Sequence, residues 1–166
     1  IKDFFKYQKR ISNSVFIKLN NSNLIFENFK RFKLPSVGEL LKISHKKTNE
    51  TIIICQGAEV LNEILKIKNK INLLGGASIF FGVWLNEINK KNLLKFNNKK
   101  VIMFQSSINY GGFDSFLSKK FLENSIKIKK FKSISINEVP KCGQNTEILD
   151  YYNLSSNSIL EIIKKF

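Results

Sequence analysis

The sequence predicts a doubly wound α/β fold, a parallel sheet with helices on both faces. Three observations predict it. "TIIIC" (51–55) and "VIMF" (101–104) are continuous apolar runs, the mark of strands buried on both faces, as in a parallel sheet. Each leads through a polar turn holding glycine into apolar residues at helical spacing. Strand and helix signals then keep alternating, which implies right-handed crossovers.

Residues 1–34 read as a basic N-terminal arm, "FFKYQKR", with two short candidate strands, "SVFIKL" and "NLIFENFKRFKL". Residues 35–166 read as the α/β domain. Its first signal is "PSVGELLKISHKK", where Ser36 and Glu39 have the spacing of a capping box. Val37, Leu40, Leu41 and Ser44 follow at helical spacing, and His45 with two lysines suits a helix C-terminus. A helix is therefore expected there. "TIIIC" is the first buried strand; Gln56 and Gly57 turn the chain into a helix through Ala58, Leu61, Ile64 and Leu65. "VIMF" is the second, followed by Gly111 and Gly112 and a helix with Phe113, Phe116, Leu117 and Phe121 on one face. "FKSISI" (131–136) reads as a third strand and "EILDYYNL" (147–154) as a fourth. Ser155 or Ser156 then caps a final helix carrying Ile159, Ile162, Ile163 and Phe166 at i, i+3, i+4 and i+7. The arrangement is that of a flavodoxin- or Rossmann-like sheet.

Ligands of such sheets bind beyond the strand C-termini. Those ends read "CQGAE", "FQSSINYGG", "INEVPKCG" and "NLSSNS". They hold neither GxGxxG nor GxxxxGK[ST], the loops that cradle phosphates with backbone N–H groups. Asp114 and Glu138 stand as isolated turn or cap acids, and "NLSSNS" reads as an N-cap rather than an anion site. Cys55, Cys142 and His45 have no metal-ligand spacing and read as two reduced thiols and a helix-end histidine. No catalytic residue, metal or cofactor is expected.

The charge points elsewhere. The chain of 166 residues carries 28 Lys and Arg against 13 Asp and Glu, a net +15, and all but Arg10 and Arg31 of the cations are lysines. Codon bias toward AT explains lysine over arginine, but not the excess of cations over anions. A dispersed excess of this kind suits a polyanion, either nucleic acid or an anionic membrane surface. The longest apolar run, "ASIFFGVWL", falls short of the roughly 20 residues of a membrane span. The candidate RNA contacts are Lys90, Lys91, Lys99 and Lys100, which flank "NLLKFNN", then Lys119 and Lys120, then Lys127, Lys129 and Lys130.

Several segments, in order, resemble the bacterial-type small-subunit ribosomal protein S2 family. "TIIICQGAEVLNEIL" is similar to that family's strand, glycine turn and helix, and "NLLGGASIFFG" to its "WLGG" loop. "KCGQNTEILDYYNLSSNSILEII" resembles the family's closing stretch, with Cys142, Ile148, Asp150, Tyr151, Ser158, Ile159 and Ile162 in place. Upstream, "NLIFENFKRFKLPSVGELL" also matches, so the resemblance covers roughly 22–166. Departures are present too. Gln105-Ser106 replaces the family's acid, "KCGQ" replaces "NCDP", there is no tryptophan before LGG, and no early "HFGH". The family's long helical hairpin between LGG and the next strand is cut to Val83–Lys100, expected as a short basic helix and turn that form a compact protrusion carrying Lys90, Lys91, Lys99 and Lys100.

The resemblance implies a structural constituent of a small ribosomal subunit, without catalysis, held against ribosomal RNA and neighbouring small-subunit proteins. It implies neither membrane attachment nor homo-oligomerisation. Divergence with AT-rich codon use points to a mitochondrial ribosome in the matrix, with a plastid ribosome as runner-up. The rival readings are a degenerate flavodoxin-like nucleotide-binding enzyme and a free RNA-binding regulator.

Overall fold

The structure, a computed structural model, describes residues 35–44 and 50–166; the basic arm at 1–34, its candidate strands and His45 lie outside the described residues. In chain order the elements are β1 (Leu41–Ser44), β2 (Thr51–Gln56), α1 (Ala58–Leu73), β3 (Ser78–Phe81), α2 (Lys90–Leu94), β4 (Lys99–Ile108), α3 (Phe113–Glu123), β5 (Ile128–Ile136), α4 (Asn145–Tyr151) and α5 (Ser156–Lys165). The sheet order is β1-β3-β2-β4-β5. β3, β2, β4 and β5 are parallel, and β1 pairs antiparallel with β3.

The sheet is covered on both faces, as expected. On one side Ile53, Cys55, Ile79, Ile102 and Phe104 pack with α1, α5 and the end of α4. On the other, Ile52, Ile54, Phe80, Val101 and Met103 pack with Leu93 and Phe96 of the α2 region and Phe113, Leu117 and Phe121 of α3. Alternate residues of β2 and β4 thus feed two cores, which is why their sequences are apolar at every position rather than every second one. Cys55 is fully buried with its thiol 3.4 Å from the Phe80 carbonyl, and burial pushes the thiol far above its ordinary range.

Three elements differ from expectation. Of the stretch expected as a helix at 35–47, the described residues 35–44 form a turn followed by the strand β1. The Ser36–Glu39 pair does form: the Glu39 N–H reaches the Ser36 carbonyl at 2.9 Å, and the Ser36 N–H reaches the Glu39 carboxylate at 3.2 Å. It closes a single turn because Gly38 adopts φ +72°, outside the helical region, and a Cβ there would lie 2.8 Å from the Asn89 nitrogen. "EILDYYNL" is no strand either; it holds most of the helix α4 and the turn after it. The Gln144 N–H bonds the Glu147 carboxylate at 3.2 Å at the start. Asn153, at φ +57°, ends it, and the Leu154 N–H returns to the Leu149 carbonyl at 2.7 Å. β3 is the third difference, a four-residue strand inside the glycine-framed run "ASIFFGVWL".

Candidate nucleic-acid interface

Parallel topology sorts the polar residues. β2, β3, β4 and β5 all start at one end of the sheet, so the connecting helices must end there. Cations favour helix C-termini, and α1, α3 and α5 carry Lys70, Lys120, and Lys164 with Lys165 in their last turns. The strand starts add Lys99 and Lys100 on β4, with Lys127 just before β5 and Lys129 and Lys130 on it. Hydrogen bonds knit this end together. The Lys100 N–H meets the Glu50 carbonyl at 2.8 Å, the Asn98 N–H meets the Lys127 carbonyl at 2.6 Å, and the Lys127 N–H meets Asn97 Oδ1 at 3.0 Å.

The nine candidate lysines do not all share one fate. Lys119 and Lys120 both pair with Glu123, at 3.7 and 2.8 Å, and Lys120 holds that carboxyl below its usual range. Lys129 pairs with Glu50 at 3.1 Å and lowers it likewise. Lys130 lies 4.7 Å from the Phe166 ring centre and donates to the Phe166 carbonyl at 3.2 Å. Lys99 and Lys100 are half-buried at the start of β4, while Lys127 is exposed. Lys90 and Lys91 are exposed on α2, whose first turn is capped by Asn89 Oδ1 accepting from the Asn92 N–H at 2.9 Å. α2 is tied to Gly38 at the other flank of the molecule through the Asn89 N–H, at 2.9 Å. The connection from Val83 to Lys100 is therefore packed down, with Leu93 and Phe96 buried, and Lys90 and Lys91 do not form one protrusion with Lys99 and Lys100. Lys70, Lys164 and Lys165 join the lysine end instead. The signal that could have found them is their place in the last turns of expected helices.

Lys95, which follows α2, is 5.5 Å from the Phe80 ring centre and donates to Asn92 Oδ1 at 2.7 Å. Burial, aided by the Lys91 charge, lowers its pKa.

The opposite end of the sheet, where the strands finish, is built differently. The order β3-β2-β4-β5 places the topological switch between β2 and β4, where flavodoxin-like sheets hold ligands. There Gly57 sits at φ +94°, and a Cβ on it would lie 1.9 Å from Ser106 Oγ. Ser106 donates to Glu59 at 3.3 Å, Ser107 to Gln56 at 3.4 Å, and Ser133 to Asp114 at 2.8 Å. A carboxylate, Glu59, thus occupies the first turn of α1, where a phosphate would have to sit. The cavity beside it measures about 130 Å³, below the roughly 300–1,000 Å³ of ligand pockets. The N-terminus of α5 is taken as well. The Ser156 N–H donates to Glu63 Oε2 at 2.9 Å, and Glu63 also pairs with Lys66. Ser155 holds the N-cap position, but its hydroxyl meets Ser158 Oγ at 3.1 Å instead of capping. Among the described residues there is no cluster of three metal-ligating side chains, and no helix is long and apolar enough to cross a membrane.

No protein-family model matches the chain, and no curated protein does. Solved structures do. A split-gene transketolase, an inactive β4 tetramer, is similar at a TM-score of 0.63 and 16% identity, over 77% of this chain and 42% of that one. A transketolase from Campylobacter jejuni gives a TM-score of 0.56 at 13% identity, over 81% of this chain and 20% of its own. A Pichia stipitis transketolase mutant complexed with xylulose 5-phosphate gives 0.55 at 13% identity, over 77% and 18%. The chain spans less than half the length of these enzymes. At such identities the likeness shows the fold alone, a Rossmann-like α/β sheet.

Proposed function

We propose that this protein is an RNA-binding structural constituent of a small ribosomal subunit, in a divergent mitochondrial form, and that the lysine end of its sheet faces ribosomal RNA. One observation carries the reading. Lysines from three helix ends and two strand starts meet at one end of the sheet, and the acids placed there, Glu50, Glu123 and Glu161, are fewer than those lysines. The resemblance in sequence supplies the particle; the charge supplies the ligand class. A nucleotide-binding enzyme is the weaker reading, because the switch point holds Glu59 and too small a cavity. A lysine-rich helix end also suits its own macrodipole, so the charge needs a functional test.

The test replaces Lys100, Lys127 and Lys130 by Gln. Each phosphate contact adds about 0.7 to the log–log salt slope on single strands and about 0.9 on duplex. The expected result is a slope reduced by roughly two units, an unchanged melting temperature, and weaker co-sedimentation with the small subunit and its RNA. Wild-type binding that is flat in salt, or a triple variant that binds and sediments like wild type, overturns the assignment. A regulator acting off the particle would bind RNA with the same slope yet leave the subunit peak.

A further inference from the structure

Among the described residues, the last strand of the sheet has a strand neighbour on one side only. β5 runs nine residues, and that neighbour is β4. The Ile136 carbonyl accepts from the Asn109 N–H, just past β4, at 3.0 Å, which fixes Ile136 as facing inward. Successive strand residues turn their backbone groups to opposite edges, so Ser133 and Ser135 present their N–H and C=O groups outward. An open cleft of about 530 Å³ is lined by Asn109 beyond β4, by Ser133, Ile134, Ser135 and Asn137 on the strand side, and by Tyr151 and Tyr152 from the α4 end. Among the described residues this outward row of backbone groups has no strand partner, and such a row is a template for an added strand.

Two more observations say what fits. Tyr110 and Val139, each 86% exposed, follow the cleft-lining Asn109 and Glu138 in sequence, and Tyr151, which lines the cleft, is 54% exposed. Exposed aromatic and apolar residues around a polar groove are the anchors protein partners use. Lower down, the strand carries Lys129, Lys130 and Lys132, all exposed, with no acid in the strand, and only Lys129 has a carboxylate partner among the described residues. Lys130 and Lys132 are two apart and share a face of the sheet.

We infer that the outer edge of β5 docks an extended segment of a partner protein as an added strand, with acidic side chains two residues apart beside Lys130 and Lys132. Cross-strand neighbours on one face sit about 4.5–5.5 Å apart, close enough for such pairs. Alternating outward donors and acceptors match another strand along its length, whereas a phosphate backbone offers acceptors only. This goes beyond the RNA reading and concerns a different class of partner; Lys130 belongs to both surfaces, so the two readings are separated by Ser135→Pro, which leaves every lysine in place.

The test uses the full chain and a fluorescein-labelled peptide of about eight residues, most of a strand's length, alternating Asp with Val; a Lys–Val peptide is the control. Ser135→Pro removes one outward N–H at an edge position, where a strand tolerates proline. The acidic peptide is expected to bind wild type, to prefer it over Ser135→Pro by at least about tenfold, and to be favoured over the lysine peptide. Ser135→Pro should melt like wild type. Should it fail to fold, Tyr151→Glu, which leaves the strand intact and puts a carboxylate at the α4 end of the cleft, should weaken the acidic peptide alone. In the chain without peptide, the Ser133 and Ser135 amides should exchange with solvent faster than that of Ile134. Equal affinity of the tested variant and wild type, equal affinity for both peptides, or no binding overturns the proposal. So does protection of those amides in the chain alone, since another segment then covers the edge. A dimer that Ser135→Pro abolishes makes the occupant a second copy, and displacement of the peptide by single-stranded RNA that the variant no longer binds makes the edge an RNA site. Either result also overturns it.

Discussion

The two ends of the parallel sheet use their polar residues in opposite ways. Where the strands finish, many polar groups bond one another: Ser106 to Glu59, Ser107 to Gln56, Ser133 to Asp114, and the Ser156 N–H to Glu63, while Gln105 Nε2 and Asn109 Oδ1 are buried without a partner among the described residues. Where the strands start, several lysines bond acids or carbonyls, and Lys127 is exposed. The first end is usually the functional one in this architecture. Here its switch point is filled by its own side chains, while lysines gather at the other end. Three transketolase likenesses at 13–16% identity show the fold and carry no active site across.

The contrast breaks most sharply at Gly57. Gly57→Ala forces an L side chain to φ +94° and against Ser106 Oγ, 1.9 Å from the new Cβ. The hydroxyl escapes only by rotating off Glu59. Backbone strain and overpacking together should cost about 2–3 kcal/mol, a fall in Tm of roughly 4–12 °C for a chain of this size. Adding Ser106→Ala should recover part of that loss, since the clash eases while the φ strain stays. The salt slope of RNA binding should not move in either variant. A slope that falls with Gly57→Ala in a folded protein would mean that the strand ends touch RNA after all.

What the sequence disclosed follows the same division. β2, α1, β4, α3, β5 and α5 were legible because their apolar residues repeat at strand or helix period, or fill every position of a doubly covered strand. β1 and α4 were misread because their signals were local and ambiguous. The Ser36–Glu39 box forms at the foot of β1, since Gly38 turns the chain out of the helix. In α4, Gln144 and Glu147 make the bond of a helix start, and Asn153 makes its stop, inside a stretch whose Ile, Leu and Tyr read as a strand. At the lysine end, the abundance of cations was legible and their gathering was not, because it comes from the parallel connections. Which lysines are already occupied was hidden as well: Lys129 meets Glu50 across 79 positions of sequence.

A smaller effect tests how the finished end is held. Glu63 is 7% exposed, takes the Ser156 N–H at 2.9 Å and pairs with Lys66, so α1 caps α5 across the core. Glu63→Gln keeps an acceptor but loses the charge that favours a helix N-terminus, and should cost about 1 kcal/mol. Glu63→Ala should cost more, because the Ser156 N–H then loses its partner altogether. Thermal denaturation of both variants checks the order. Equal costs would show that the charge contributes nothing there and that only the hydrogen bond matters.

The smallest effect lies at the lysine end, and it asks whether the Lys129–Glu50 pair spends a cation that RNA could otherwise use. Both side chains are substantially exposed, at 49% and 63%, so solvent and salt screen the 3.1 Å contact. Lys129 lowers the Glu50 pKa through its hydrogen bond first and its charge second, with smaller contributions from Lys100 and Lys99. A carboxyl depressed in the folded state stabilises above its unfolded pKa, and that stability is lost as pH falls through the folded value. The contribution thus disappears on acidification below the ordinary carboxylate range, not near neutrality. Lys129→Gln should raise the Glu50 midpoint toward that ordinary range in an NMR titration, while Tm at neutral pH stays within measurement error. If the midpoint moves, the pair is real in solution and Lys129 should add little to the RNA salt slope. If it stays put, Lys129 is unspent, and removing it should lower the slope as far as removing Lys127 does.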